Sequence, residues 1–228
     1  MSDGRLRELE RRAERSGSLE DALELLVARR RAGLSEGQLA LAAYLGDPAA
    51  LELSGSRRGE LLGNATVGEA IGWAAPLAGW GAEVGRRCGL ALARQLLPEW
   101  ERHSERLKPR WRNPGSRGRP RLDPRPGQLL GVLEAWCREP SAARGASLER
   151  AWAECEEVTF LRAESWRARA ALTAVRTLLC AAQADPVGAV RVGYDALHPD
   201  AGARLLAALE QEVLPWALGG ADPLRPAR

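Results

Sequence analysis

Apolar residues in this chain recur at three- and four-residue spacing, in runs closed by glycine, proline, serine or aspartate, and no run alternates in twos. That spacing lays one stripe of a helix against a core and cannot form the half-buried face of a strand. Leu6, Leu9 and Ala13 share a face over residues 3–15, and Leu19, Leu23, Leu26 and Val27 line residues 19–32. Ser18 is placed to cap that second helix, with Asp21 three residues on as its acidic partner, and Gly33 suits the position after its end. Ser35 opens a third helix with Leu39, Ala42, Ala43 and Leu45 inward, and Pro48 sits in the first turn of a short fourth one.

Further along, Asn64 or Thr66 can cap residues 67–75, with Ile71 and Trp73 buried, although Gly68 and Gly72 weaken a helix there. Residues 79–100 read as a long helix that Pro98 should kink or end. Leu129, Leu133, Trp136 and Cys137 mark an amphipathic helix over 126–138. Ser147 then caps a run to Phe160, and helices follow over 165–184, 187–197 and 201–218. The expected fold is all-α, with antiparallel helix pairs forming a compact bundle or a short helical-repeat array. Its expected organisation is an N-terminal half at 1–107, a basic loop at 108–125, a C-terminal half at 126–218 and a flexible tail at 219–228. QLLPEW at 95–100 and QEVLPW at 211–216 echo one another and leave open a duplication of two halves.

Hydrophobic residues make up 45% and charged residues 28%, enough apolar mass to bury a core and so to exclude a wholly disordered chain. A net charge of +3 does not mark the whole chain as a nucleic-acid binder. Lys108 is the only lysine, and this preference for arginine is what GC-rich codons produce. Cys88, Cys137, Cys155 and Cys180 form no CxxC pair and fall in helical patterns, which fits buried thiols in a reduced, cytoplasmic protein. Residues 1–18 are charged and lack the apolar core of a secretory signal, and no apolar run approaches the roughly 18 residues of a membrane span.

The chemistry concentrates in residues 108–125, KPRWRNPGSRGRPRLDPR, with seven basic side chains against one acid, Asp123. Lys108, Arg110, Arg112, Arg117, Arg119 and Arg121 surround Trp111, and these are the candidate contact residues. Guanidinium groups pair with phosphates or carboxylates, and an indole can stack on a base. Three readings stand: contact with nucleic acid, contact with an acidic protein surface, or a solvated linker. Elsewhere His103 and His198 are the only histidines and read as surface or capping residues. No GxSxG, HExxH or Walker loop is present, so neither an enzyme site nor a cofactor is expected. Glu154 and Glu157 share a helical face without the Glu-x-x-His of a di-metal bundle, and pairing of Glu157 with Arg162 is expected instead. Of eight tryptophans, most fall on apolar stripes, and Trp111 is the one expected outside a helix and exposed.

Two stretches carry a resemblance. LSEGQLALAAYLGDPAAL at 34–51, followed by a helix ending near Leu97-Pro98-Glu99-Trp100, resembles all-helical proteins of large GC-rich bacterial genomes whose function is not known. The Asp123-Pro124-Arg125-Pro126 turn and the Ala135-Trp136 pair are similar to a predicted all-helical immunity-protein family of bacterial toxin systems. The resemblance spans residues 19–136 and implies an all-α fold, with no site residue to transfer. Residues 113–121 are extra relative to that pattern, which sets the basic stretch apart.

The expected function is that of a non-enzymatic interaction module, an adaptor, accessory subunit or immunity-type inhibitor, whose partner is another protein encoded nearby. The alternative is an accessory nucleic-acid-binding subunit using residues 108–125. That alternative requires salt-sensitive binding to DNA or RNA, measured by fluorescence anisotropy, that drops when Arg110, Arg112, Arg117, Arg119 and Arg121 become alanine. Binding unchanged in that variant excludes it.

Overall fold

The computed structural model describes residues 3–104, 123–160, 163, 165–197, 200–220 and 222–224. All of them that lie in regular structure are helical, in twelve α-helices and three short 3₁₀ segments. The α-helices are α1 (Asp3–Ser16), α2 (Leu19–Arg31), α3 (Glu36–Tyr44), α4 (Pro48–Ser54), α5 (Val67–Ala74), α6 (Ala82–His103), α7 (Arg125–Arg138), α8 (Ala142–Glu156), α9 (Trp166–Ala182), α10 (Pro186–Gly193), α11 (Ala201–Glu212) and α12 (Leu214–Ala217). The fold is therefore all-α, built from packed helix pairs. Two compact units divide it: Met1–Glu60 with Leu209–Arg228, and Leu61–Ala208.

In the first unit, α1 lays Leu9, flanked by Leu6 and Ala13, on Leu25 and Ala28 of α2. Ser18 caps α2 through the amide of Asp21. The Asp21 carboxylate turns away from the cap, accepting from the Ser16 hydroxyl at 2.5 Å and pairing with Arg12 at 2.7 Å. Both contacts hold it below the usual carboxylate range, the Ser16 hydrogen bond foremost. Leu19, expected inward, is exposed, and Leu25 takes its place. Ser35 and Gln38 form a full capping box on α3. Gly46 follows with φ near +95°, a conformation an L side chain resists, and an added Cβ there would strike Arg58. Arg29 ties the chain's ends together, pairing with Glu10 at 2.8 Å and donating to the Leu218 carbonyl at 2.9 Å. Gln38 donates likewise to the Trp216 carbonyl, and Leu224 is buried.

In the second unit, α6 and α9 pack most extensively, with α10 against both. An added Cβ on Gly85 would lie 2.6 Å from the Ala184 carbonyl oxygen, and one on Gly89 would lie 2.8 Å from the Ala181 Cα. The two contacts run in opposite directions along the helices, so the pair is antiparallel, and the missing side chains let the backbones touch. α7 packs against both α6 and α9. Arg87, only 3% exposed, bonds the Cys137 carbonyl of α7 and Glu83 of its own helix. Two turns further, Arg94 pairs with Glu134 at 2.6 Å, and Glu134 also holds Arg138. α8 completes an antiparallel pair with α7. Thr66 and Glu69 cap α5 reciprocally, which outweighs Gly68 and Gly72.

Three expectations change. Pro98 does not end α6, which runs on to His103 with Trp100 buried; proline removes one backbone hydrogen bond, and burial of Leu96, Leu97 and Trp100 outweighs that loss. α8 begins at Ala142 under a Ser141 cap, and Ser147 lies inside the helix, its hydroxyl donating to the Ala143 carbonyl. The echo at 211–216 adopts another conformation from 95–100: α11 stops before Val213, and Pro215 sits in the first turn of α12. All four cysteines are free; Cys88, Cys137 and Cys155 are buried, and burial pushes the Cys88 and Cys155 thiols up to about 12.

The α6–α9 contact gives one substitution opposite signs at different sites. Gly85→Ala or Gly89→Ala must push backbone aside and should lower stability by about 1–3 kcal/mol. Gly131→Ala, in open space within α7, should raise it by up to about 1 kcal/mol through helix propensity. Urea midpoints of the three variants measure this.

Candidate functional site

Among the described residues, two aromatic side chains are exposed, Phe160 at 58% and Trp166 at 64%. Phe160 ends the 3₁₀ segment Glu157–Phe160, which continues α8 and packs on α9. Trp166 is the first residue of α9, held at that end by Ser165, whose hydroxyl accepts from the Ala168 amide. The Arg167 guanidinium lies 5.1 Å from the Trp166 ring centre, a cation–π contact on an exposed indole. His103, at the end of α6, meets the Trp166 ring edge-on with centroids 6.4 Å apart. Its Nε2 lies 3.5 Å from Glu99, and its Nδ1 is buried without a hydrogen-bond partner. His103, expected as a surface or capping residue, is mostly covered and stands in the last turn of α6.

The same end of the unit carries the residues on which α7 begins. The Asp123 carboxylate accepts from the Arg125 amide at 3.0 Å and pairs with its guanidinium at 2.7 Å. Arg125 reaches on to Glu157 at 2.8 Å and to the Glu154 carbonyl at 3.1 Å. These hydrogen bonds, with the opposite charge, hold Asp123 below the usual carboxylate range and raise Arg125 further above neutrality. Glu157 therefore pairs across to α7; its expected partner Arg162 lies outside the described residues.

Lys108, Arg110, Trp111, Arg112, Arg117, Arg119 and Arg121 lie outside the described residues, as does His198. What can be placed is where their stretch departs and returns: Ser104, which follows His103, and Asp123. Of the tryptophans read as core, Trp73 and Trp100 are buried, Trp80, Trp136, Trp152 and Trp216 are half-buried, and Trp166 is out. Sequence reasoning missed Trp166 because helical spacing cannot tell which side of a first turn faces solvent. The signal was its neighbourhood, with Ser165 as cap and arginines at 167 and 169. Among the described residues, no cluster of histidine, cysteine, aspartate and glutamate is placed to hold a metal ion, and no helix is long and apolar enough to cross a membrane.

The chain matches no family model, no curated protein and no solved structure. Its own geometry is the ground for a functional reading.

Asp123 provides a pH signature of this corner. Its carboxyl binds a proton less tightly folded than unfolded, so its contribution is complete above the unfolded value of about 3.9 and fades as pH falls below it. Asp123→Asn should therefore cost about 1 kcal/mol or less at neutral pH, as for other partly exposed pairs. The difference from the parent should shrink toward zero in acid, as read by denaturation across pH.

Proposed function

We propose that this chain is a non-enzymatic helical interaction module, an adaptor, accessory subunit or immunity-type inhibitor of a bacterial system. The observation that carries the reading is the exposed pair Phe160 and Trp166, in a chain whose other described phenylalanine, tyrosine and tryptophan side chains are wholly or partly covered. Tryptophan and arginine are the residues that most often dominate binding energy at protein interfaces, and Arg167 stands on the face of Trp166. An exposed indole on a packed helix end has few rotamers to lose on binding, so its burial converts efficiently into affinity. The resemblance of residues 123–136 to an immunity-protein family points the same way. The partner would be a protein, encoded by a neighbouring gene, that covers this corner.

Co-purification of the chain with the products of adjacent genes should retain one specific partner. Trp166→Ala and Phe160→Ala should each weaken that complex by about 2 kcal/mol, near thirtyfold in Kd. Leu19→Ala, exposed in the other unit, should leave it within about twofold, as a residue outside the interface would. Equal affinity of all three variants removes the aromatic corner from the interface.

A further inference from the structure

A cleft of about 770 Å³ opens in the second unit, between one face of α8 and the junction of α9 with α10. Its volume lies in the range of small-molecule sites rather than of flat protein interfaces. From α8 come Gly145, Leu148, Glu149, Trp152 and Ala153, whose spacing puts them on one helical face. Opposite stand Arg86 of α6 and the Ala182–Asp185 turn.

One cationic group in the cleft is held in place with donors unspent. The Arg86 guanidinium lies over the Trp136 ring, 4.0 Å from its centre, and its Nε donates to the Ala182 carbonyl at 3.0 Å. Stacking and that bond fix the plane of the group. Among the described residues, its terminal nitrogens bond to nothing, and burial lowers its affinity for the proton. A partly buried charged donor without a counter-ion is costly. Leu148, Trp152 and Ala153 supply apolar wall across the cleft from it.

The acids divide. Asp185 is committed to the fold: it caps α10, accepting from the Gly188 amide at 2.7 Å. Glu149 is exposed, feels the charge of Arg86, and has no hydrogen-bond or ion-pair partner among the described residues. The cleft thus offers one positive and one negative group not joined to each other, with an apolar wall. A simple anion would leave Glu149 repelled, and a simple cation would leave Arg86 unanswered.

We infer that this cleft binds a small zwitterion with an apolar side chain, a free amino acid or short peptide, its carboxylate on Arg86 and its ammonium on Glu149. The carboxylate is planar and meets a guanidinium fork through two parallel hydrogen bonds. The inference is independent of the protein–protein reading, which uses the other end of α9.

Isothermal titration calorimetry of the full chain tests it with four probes: leucine, leucyl-leucine, leucinamide and N-acetyl-leucine. Leucine or leucyl-leucine should bind, and whichever binds more tightly identifies amino acid or peptide as the source of the carboxylate. Leucinamide, without a carboxylate, and N-acetyl-leucine, without an ammonium, should each bind at least about tenfold more weakly, the ratio expected for one lost charge-assisted bond. Arg86→Met should abolish binding. Because Arg86 also holds the end of α9, Glu149→Gln is the deciding variant. It should weaken leucine binding, whereas N-acetyl-leucine, an anion that Glu149 repels, should bind the variant at least as well as the parent. Absence of heat from both unblocked probes at millimolar concentration, equal binding of blocked and unblocked forms, or unchanged leucine affinity in Glu149→Gln overturns the inference.

Discussion

The contact at Gly85 and Gly89 sets the geometry of the second unit. Two helices normally stand apart by the depth of their side chains, and here α6 meets the end of α9 with none between them at those positions. Once that distance is fixed, neighbouring placements follow. Gly193 of α10 fits against Thr177 of α9 and Leu96 of α6, where a Cβ would lie 2.7 Å from the threonine hydroxyl oxygen. Arg86, next to Gly85, comes within reach of the Ala182 carbonyl, one of the backbone acceptors that a helix end leaves without a partner. A larger residue at 85 or 89 would move α9 outward and take the turn at Ala184 with it. Ala184 already holds a left-handed conformation at φ 59°, where glycine would be easier.

Helix identity was legible because caps and apolar spacing act locally. Ser18, Ser35 and Thr66 each cap the helix that follows them, and Leu9, Leu39, Leu129 and Leu133 face inward as their spacing requires. What spacing could not settle were choices made by tertiary packing. Pro98 stays within α6 because buried neighbours outweigh one missing hydrogen bond. Leu19 and Leu25 both fit an apolar stripe, and only the position of α1 decides that Leu25 is covered. Gly85 and Gly89 look like weak helix formers in sequence and are close-contact residues in three dimensions. The candidate corner was half legible: the Asp123-Pro124-Arg125-Pro126 turn stood out, but the reach of Arg125 to Glu157 spans 32 positions and no local pattern announces it.

Asymmetry between neighbours separates structural from available charge. Arg86 and Arg87 are adjacent on α6, about 100° apart around its axis, so they face different surroundings. Arg87 is buried and spends its donors on Glu83 and on the Cys137 carbonyl, joining α6 to α7. Removing it would strand acceptors in the core, which makes it part of the scaffold. Arg86 uses one nitrogen on the Ala182 carbonyl and one face on Trp136, and the rest opens into a cleft.

An arginine-biased composition therefore has two meanings at once. Codon usage accounts for arginine standing where lysine could, as on the exposed faces of α1, where Arg11 and Arg15 pair loosely with Glu8. It does not account for the positions where a planar fork is used as such. Arg125 bonds Asp123 through both Nε and a terminal nitrogen, while another nitrogen reaches Glu157. Arg29 spans Glu10 and the Leu218 carbonyl, and Arg86 stacks on an indole while donating sideways. A lysine ammonium in any of these places would keep the charge and lose the arrangement. Arginine count says little about function here, whereas the geometry around each guanidinium separates those that hold helices together, such as Arg29, Arg87, Arg94 and Arg125, from Arg86, which the Trp136 ring and the Ala182 carbonyl hold and which still has hydrogens to give.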